Sequence, residues 1–353
     1  SFYFCIRSEN KMETYYKYQI FYYSVLTHVQ TFSLVVYCVI IVVGTVGNGL
    51  VIYVTGFKMR KTVNSVWFLN LALADFLFTA FLVFTAVSLS QQHQWSFGQF
   101  MCKLNTFVSS VNMFASVFFL AAISLDRCLS IWVVVWAQNK RTVLKAQIIS
   151  MAIWLAAGIC STPSAYFRTV IKHNNKTYST YPSKDIVWRL NILRFLMGFL
   201  IPFLAIFFTS VAIVIRSRHL QRARKRRFHR ILFSIIFAFF ICWLPFHVLN
   251  FIEVSDQNLQ KVVIIGSTLS VSLAFMNSCL NPILYVFMCD EFQKKLKRSL
   301  CFVLESALAE EHLSFASSRS LSSHFSRISR KSDSAAPEDN RVHALTFTES
   351  RVA

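Results

Sequence analysis

The chain has 353 residues and a formal net charge of +20; 55% of its residues are hydrophobic and only 15% are charged. Soluble globular domains are about 45–50% apolar and about 25% charged, so this composition excludes an ordinary soluble domain. Long apolar segments with few charges indicate membrane-spanning helices of about 20 residues each.

Seven apolar segments follow one another along the chain. They are rich in Phe, Val, Ile and Leu and show no strand-like alternation, which favours helices. No internal repeat stands out, and this disfavours the duplicated halves of many transporters. The predicted spans are residues 31–56, 64–89, 99–133, 144–166, 188–218, 228–252 and 259–288.

The basic residues are placed unevenly between the loops. They concentrate in the first, third and fifth inter-span loops and directly after the seventh span. By the positive-inside rule these segments are cytoplasmic, so the N-terminus is expected outside and the C-terminus inside. A basic chain also suits nucleic-acid binding, but these charges flank apolar spans, which favours a lipid bilayer as the partner and disfavours nucleic acid.

The predicted fold class is an all-α membrane protein, a seven-transmembrane helix bundle with a short amphipathic eighth helix. We expect an extracellular N-terminal segment at 1–30, the bundle at 31–289, the eighth helix at 290–301 and a disordered cytoplasmic tail at 302–353. Residues 1–11 precede Met12, and whether they are native is open.

Polar residues inside the spans are candidates for function, because a mid-span carboxylate such as Asp75 costs about 2.5–3.5 kcal/mol to insert. Asn112 and Ser116 are four residues apart and share a helix face, as do the two asparagines of "NSCLNP". A sodium ion, a proton-coupled cluster and a purely structural polar cluster stay open as interpretations. The predicted cluster comprises Asp75, Asn48, Asn112, Ser116, Asn277, Ser278 and Asn281.

Eight short motifs occur in order along the spans: "GNGLV", "NLALAD", Trp95 of "WSFG", "LDRC", Trp154, Pro202, "CWLP" and "NPILY". With these motifs the chain resembles the rhodopsin-like (class A) G-protein-coupled receptors over about residues 31–300. The stretches "KMRKTVNSVWFLNLALADFLF" and "NSCLNPILYVFMCDEFQKKL" are similar to the chemoattractant group of chemerin and formyl-peptide receptors.

The resemblance implies a plasma-membrane receptor for an extracellular peptide or small protein, with no enzyme activity and no required cofactor. It also implies inhibitory-class G proteins, arrestin and receptor kinases as partners. Two other classes stay open: a decoy receptor with weak or no G-protein coupling, and a transporter. Ser110 stands where formyl-peptide receptors carry an acidic residue, which favours the chemerin-like side.

The resemblance also implies a cysteine in the second outer loop that would bridge to Cys102. This loop has none; Tyr178 and Ser179 stand about where it is expected. Cys102 is therefore expected to be free, or paired with Cys5. Ser210, in place of a tyrosine that the family uses in activation, adds to the case for a decoy receptor.

Arg194 lies in the outer half of the fifth span, eight residues before Pro202. The resemblance implies that it holds a carboxylate of the ligand, a task that suits the guanidinium fork. The alternative is an arginine that extends to the membrane surface. Trp243 and Phe246 are assigned to the same pocket and Arg168 to its rim.

The charged pair Asp126 and Arg127 ends the third span. Arg127 lies 25 residues after Cys102, or about 37 Å along a helix, which places it at the cytoplasmic edge. We expect Asp126 to neutralise Arg127 in the resting state. By resemblance, Arg127 and Tyr285 then take part in G-protein coupling; a static salt bridge is the alternative.

Two further positions suggest modification. Asn175 opens the sequon Asn-Lys-Thr in an outer loop, which predicts N-glycosylation. Cys301 follows the basic stretch "DEFQKKLKRSL", which predicts either palmitoylation or a free cytosolic thiol.

Overall fold

The fold comes from a computed structural model that describes residues 2–216, 238–253 and 260–288. The predicted eighth helix, the tail and Cys301 lie outside these residues. In the described part nine helices follow one another: α1 (Phe2–Tyr53), α2 (Val63–Ser90), α3 (Gly98–Trp132), α4 (Val134–Asn139), α5 (Val143–Tyr166), α6 (Lys184–Phe195), α7 (Ile201–Arg216), α8 (Ala238–Glu253) and α9 (Gln260–Met288). Two π-helical segments, Val54–Lys58 and Leu196–Leu200, extend α1 and join α6 to α7.

The described helices confirm the predicted helical membrane bundle. Within the described residues, six helices are long and apolar enough to cross a membrane, with α6 and α7 counted as one continuous helix. The shorter α8 covers the described part of the sixth predicted span. Each of the seven predicted spans therefore corresponds to a helix.

Hydroxyl side chains fix where several helices begin. Thr62 and Ser65 form a reciprocal capping box at the start of α2, in which the Ser65 amide donates to Thr62 Oγ1 at 3.1 Å and the Thr62 amide donates to Ser65 Oγ at 2.8 Å. Ser183 caps α6 by accepting from the Ile186 amide at 3.3 Å. These caps satisfy backbone donors that would otherwise be orphaned at the helix ends.

A β-hairpin between α5 and α6 was not expected from the sequence. Strands β1 (Thr169–His173) and β2 (Lys176–Thr180) pair antiparallel. Asn174 and Asn175 form the turn with φ of 47° and 60°, the left-handed pair that a two-residue type I′ hairpin requires and that asparagine tolerates. The bundle is thus mostly helical rather than purely so, and we call the end that carries this hairpin the hairpin end.

Aromatic packing in the core joins α2, α3 and α5. The Phe119 ring lies between Trp67 and Trp154, with ring centroids 6.5 Å and 6.1 Å away. The Trp154 indole donates to Asn70 Oδ1 at 2.9 Å, which gives its polar atom a partner in an apolar setting. This packing holds α3, the helix that contributes to every site described below, in the centre of the bundle.

Candidate functional site

A cavity of about 910 Å³ lies at the hairpin end, between α3, α6, α8, α9 and the segment after β2. The four residues predicted to bind a ligand, Arg168, Arg194, Trp243 and Phe246, all line it. Arg168 follows the end of α5, Arg194 lies in the last turn of α6, and Trp243 and Phe246 both lie on α8. The four residues thus share one cavity wall, and their binding of a ligand stays a prediction.

Two guanidinium groups converge on one tyrosine in the cavity wall. Arg194 Nη2 donates to the Tyr181 hydroxyl at 2.9 Å and to Ser164 Oγ at 3.2 Å. The Cζ atom of Arg168 lies 4.6 Å from the Tyr181 ring centroid, and that of Arg194 lies 5.9 Å away. Arg194 therefore faces the cavity and not the lipid, as expected for a functional arginine.

The cavity's positive charge has little acidic compensation. Among the described residues, neither Arg168 nor Arg194 has a carboxylate within ion-pair distance. Lys184 adds a third cationic side chain to the lining, and Glu253 is the acidic side chain that lines it. The arrangement can attract an anionic group of a ligand.

The floor of the cavity is aromatic. Trp243 is 6% exposed, and its ring centroid lies 5.9 Å from that of Phe246 and 6.2 Å from that of His247. Trp243 Nε1 and His247 Nε2 are buried with no hydrogen-bond partner among the described residues. Ser110, where the resemblance to formyl-peptide receptors implied an acidic residue, is also buried in the lining and carries no charge.

Among the lining residues that the sequence reasoning missed, four are polar residues near the ends of helices or strands. Asn191 and Asn250 join α6 to α8, with Asn191 Nδ2 donating to the Asn250 carbonyl at 3.1 Å. Tyr181 lies directly after β2, and Glu253 is the last described residue of α8. Polar residues are common in loops and near the ends of spans. Only the shared position of these four side chains in one cavity wall distinguishes them.

The hairpin is fastened over the start of α3 by hydrogen bonds. The Trp95 amide donates to the Thr177 carbonyl at 2.7 Å, and Thr177 Oγ1 donates to the Trp95 carbonyl at 2.5 Å. The Gln99 side chain donates to the Arg168 carbonyl at 2.9 Å and accepts from the Val170 amide at 2.8 Å. The hairpin therefore forms a fixed part of the cavity's wall.

Cys102 is a free, buried thiol whose Sγ lies 2.9 Å from Ser179 Oγ. Ser179 thus occupies the place where the resemblance implied a cysteine, as the sequence analysis suggested. Ser179 Oγ also accepts from Arg168 Nε at 2.6 Å. The Cys102 thiol is unpaired among the described side chains. The Cys5 side chain lies outside them, so the Cys102–Cys5 alternative stays a prediction.

A second site, deeper in the bundle, collects the predicted polar cluster around Asp75. Ser116 Oγ lies 3.3 Å from Asp75 Oδ1 and 3.2 Å from Asn112 Oδ1. Asn112 Nδ2 donates to Ser278 Oγ at 3.1 Å, and Asn48 Nδ2 donates to the Ser278 carbonyl at 3.0 Å. Four helices therefore meet in one buried polar chain.

The structure describes the remaining predicted members of the cluster only in part. Asn277 is buried on α9. Asn281 lies on the backbone of α9, but its side chain is outside the described residues, as is that of Tyr285. Among the described residues no group of three or more His, Cys, Asp or Glu side chains could hold a metal.

Asp126 has a partner that the sequence reasoning did not name. Both carboxylate oxygens accept from Arg141, Oδ1 from Nε at 2.8 Å and Oδ2 from Nη2 at 2.7 Å. Arg141 Nη2 also donates to Asn64 Oδ1 at 2.7 Å. Arg141 approaches from the α4–α5 connection. The pairing of Asp126 with Arg127 stays a prediction.

Asn175 is exposed at the hairpin turn, where the sequon is accessible. Its neighbour two residues on, Thr177, is held by Trp95 as described above. The structure thus places the predicted glycosylation position on an outward-facing turn.

Residues 47–285 match the profile of a family described as "7 transmembrane receptor (rhodopsin family)". The chain is 41% identical over 288 residues to the C3a anaphylatoxin chemotactic receptor of Danio rerio, covering 81% of this chain and 80% of the relative. It is 40% identical over 315 residues to the Chemerin-like receptor 1 of Sus scrofa, covering 83% and 86%. It is 38% identical over 302 residues to the N-formyl peptide receptor 3 of Pongo pygmaeus, covering 79% and 86%.

Proposed function

The chain belongs to the rhodopsin family of seven-transmembrane receptors, and we propose that it is a plasma-membrane receptor for a peptide or small protein with a free carboxylate. Within that family it is a G-protein-coupled receptor of the chemoattractant group. The observation that carries the ligand class is the pair of guanidinium groups, Arg168 and Arg194, in the wall of the hairpin-end cavity.

The charge balance of the cavity supports an anionic ligand group. A buried or half-buried cation without an acidic partner is costly, and an incoming carboxylate removes part of that cost. The aromatic floor at Trp243 and Phe246 suits an apolar side chain next to that carboxylate. Together these features fit the terminal residues of a peptide that enters from the hairpin end.

The names of the relatives narrow the ligand class. One is named a receptor for C3a, others for chemerin-like and N-formyl peptide ligands. Because Ser110 leaves the cavity floor without an acidic residue, we favour a chemerin-like or complement-like ligand over a formylated peptide.

For signalling, we propose coupling to inhibitory-class G proteins, followed by receptor kinases and arrestin. The basic loops favour an extracellular N-terminus and a cytoplasmic C-terminus. Ligand binding would shift the receptor population toward a state in which Trp243 repacks and Arg127 and Tyr285 contact the G protein. The difference in ligand affinity between the two states sets the size of that shift. The Asp126–Arg141 pair favours the resting state.

The Asp75 cluster fits a sodium ion by the chemistry of its donors. Asp75, Asn112, Ser116 and Ser278 bring carboxylate, amide and hydroxyl oxygens to one buried chain, and small hard cations prefer oxygen ligands. We propose that these residues hold sodium in the resting state. The ion would neutralise Asp75, while the side chains themselves couple α2, α3 and α9.

The test is a screen of chemerin-derived, complement-derived and formylated peptides on cells that express the receptor. Each active peptide is compared with its C-terminal amide. Arg194→Ala should abolish the response to the acid, with the receptor still at the cell surface. Arg189→Ala is the matched control, because Arg189 is exposed on the same helix and does not line the cavity. Equal potency of acid and amide would reject the carboxylate proposal.

A decoy receptor is the alternative for signalling, because Ser210 replaces the family's tyrosine. Inhibition of cyclic AMP and recruitment of arrestin, measured on the same cells, separate the two. Ligand binding and arrestin recruitment without inhibition of cyclic AMP would assign the chain to the decoy class.

A further inference from the structure

We propose that the Tyr181 hydroxyl is itself a ligand-binding group and forms, with Arg194, a two-donor site for one carboxylate of the ligand. This deepens the proposed function and rests on it. Tyr181 lies in the short segment between β2 and α6 and lines the cavity.

The hydroxyl proton of Tyr181 remains available to donate to a ligand in the cavity. Its hydroxyl oxygen accepts from Arg194 Nη2 at 2.9 Å, which uses an acceptor site and not the hydroxyl proton. Among the described residues, the Tyr181 hydroxyl has no acceptor for that proton. A carboxylate oxygen would supply the acceptor.

Arg194 offers complementary donors at the same place. Both of its hydrogen bonds within the described part of the chain start from Nη2. Its Nε and Nη1 groups have no protein partner there, so the guanidinium retains donors for a carboxylate. The hydroxyl and the guanidinium are within hydrogen-bond distance of each other, so one carboxylate can accept from both.

Arg168 holds the tyrosine ring in place. Its Cζ lies 4.6 Å from the ring centroid, a cation–π distance, and its Nε is bound to Ser179. The ring is thus held by a cation, and that cation is held by the hairpin. A hydroxyl on a fixed ring loses little further freedom when it binds a ligand.

Ser164 provides the matched control for positioning. Its Oγ accepts from the same Arg194 Nη2 at 3.2 Å, but the residue is fully buried and does not line the cavity. Ser164→Ala therefore loosens Arg194 without removing a donor that a ligand can reach. Tyr181→Phe removes the hydroxyl and keeps the ring that Arg168 contacts.

The experiment uses the full chain, purified and immobilised in lipid nanodiscs. The probes are two synthetic random-sequence peptide libraries, one with free C-terminal carboxylates and one with C-terminal amides. The quantity measured is the ratio of acids to amides recovered. Because both libraries meet the same receptor preparation, a partial loss of folded receptor cancels in this ratio.

The wild-type receptor should enrich acids, and Tyr181→Phe should lower the acid-to-amide ratio about tenfold, the effect of one hydrogen bond to a charged group. Ser164→Ala should change the ratio by less than about threefold. An unchanged ratio in Tyr181→Phe would overturn the proposal, and so would equal losses in the two variants, because Tyr181 would then only position Arg194. A wild-type receptor without acid preference would instead reject the proposed function.

Discussion

The Cys102 thiol and the Ser179 hydroxyl lie 2.9 Å apart, at the point where the hairpin crosses the start of α3. The Cys102 side chain is 1% exposed and unpaired. The hairpin is instead fastened by hydrogen bonds from Trp95, Gln99 and Thr177. The wall of the hairpin-end cavity therefore depends on non-covalent contacts at the place where the family resemblance implies a disulfide.

Ser179→Cys should form a disulfide with Cys102, because the two side chains are already in contact. A crosslink that closes a loop of this length typically stabilises a protein by about 2–4 kcal/mol, although the variant also loses the acceptor for Arg168. We expect a higher melting temperature under oxidising conditions and one free thiol fewer than in the wild type, because the variant gains one cysteine and the disulfide uses two. Thr180→Cys, one residue on, is the control and should stay reduced. A Ser179→Cys variant in which Cys102 still reacts with a thiol reagent would contradict the observed contact.

Removing the sequon at the hairpin turn should give a faster-migrating receptor that no longer responds to glycosidase. The turn geometry decides which variant to use. Asn175 has φ of 60°, which glycine adopts without strain, so Asn175→Gly is preferable to Asn175→Gln. Thr177→Ser keeps both the sequon and a hydroxyl for the bond to Trp95, and it should remain glycosylated. Identical gel migration of Asn175→Gly and wild type would count against glycosylation.

The Asp126–Arg141 pair should restrain basal signalling. Its two parallel hydrogen bonds join α3 to the α4–α5 connection, and Arg141 continues to Asn64. Asp126→Asn and Arg141→Gln should each raise basal G-protein activation. Since the residues are in direct contact, the double variant should show a coupling free energy of about 0.5–3 kcal/mol in thermal unfolding.

Arg141→Lys serves as the control for that pair, because it keeps the charge but cannot supply two parallel donors. We expect an intermediate basal activity. If both single variants leave basal activity at the wild-type level, the pair is structural and does not act as a restraint.

Span positions followed directly from the sequence because their signal is local. The predicted limits 64–89, 99–133 and 144–166 each lie within one residue of α2, α3 and α5. An uninterrupted apolar run, bounded by a capping threonine at its start or by a loop, is sufficient for such a prediction.

Pairings over long sequence distances were harder to predict. Arg141 is 15 residues from Asp126, and basic residues were common in every inner loop, so charge alone could not select it. Tyr181 is one of many loop aromatics until its contacts with Arg168 and Arg194 are known. The sequence signal for the hairpin is a single Asn-Asn turn between two five-residue strands. This signal is too short to outweigh the helical pattern of the rest of the chain.

Sodium should stabilise the wild-type receptor if it binds at Asp75. We expect a higher melting temperature in sodium chloride than in choline chloride at equal ionic strength, because a ligand that binds only the folded state raises its stability by mass action. Asp75→Asn should remove the sodium effect, since it replaces the charged ligand by a neutral side chain of the same shape. Ser116→Ala should weaken the effect but not abolish it, because Asp75 and Asn112 retain their oxygens. Equal melting temperatures of the wild type in both salts would assign the cluster to helix packing or to proton-coupled hydrogen bonding, the alternatives that the sequence left open.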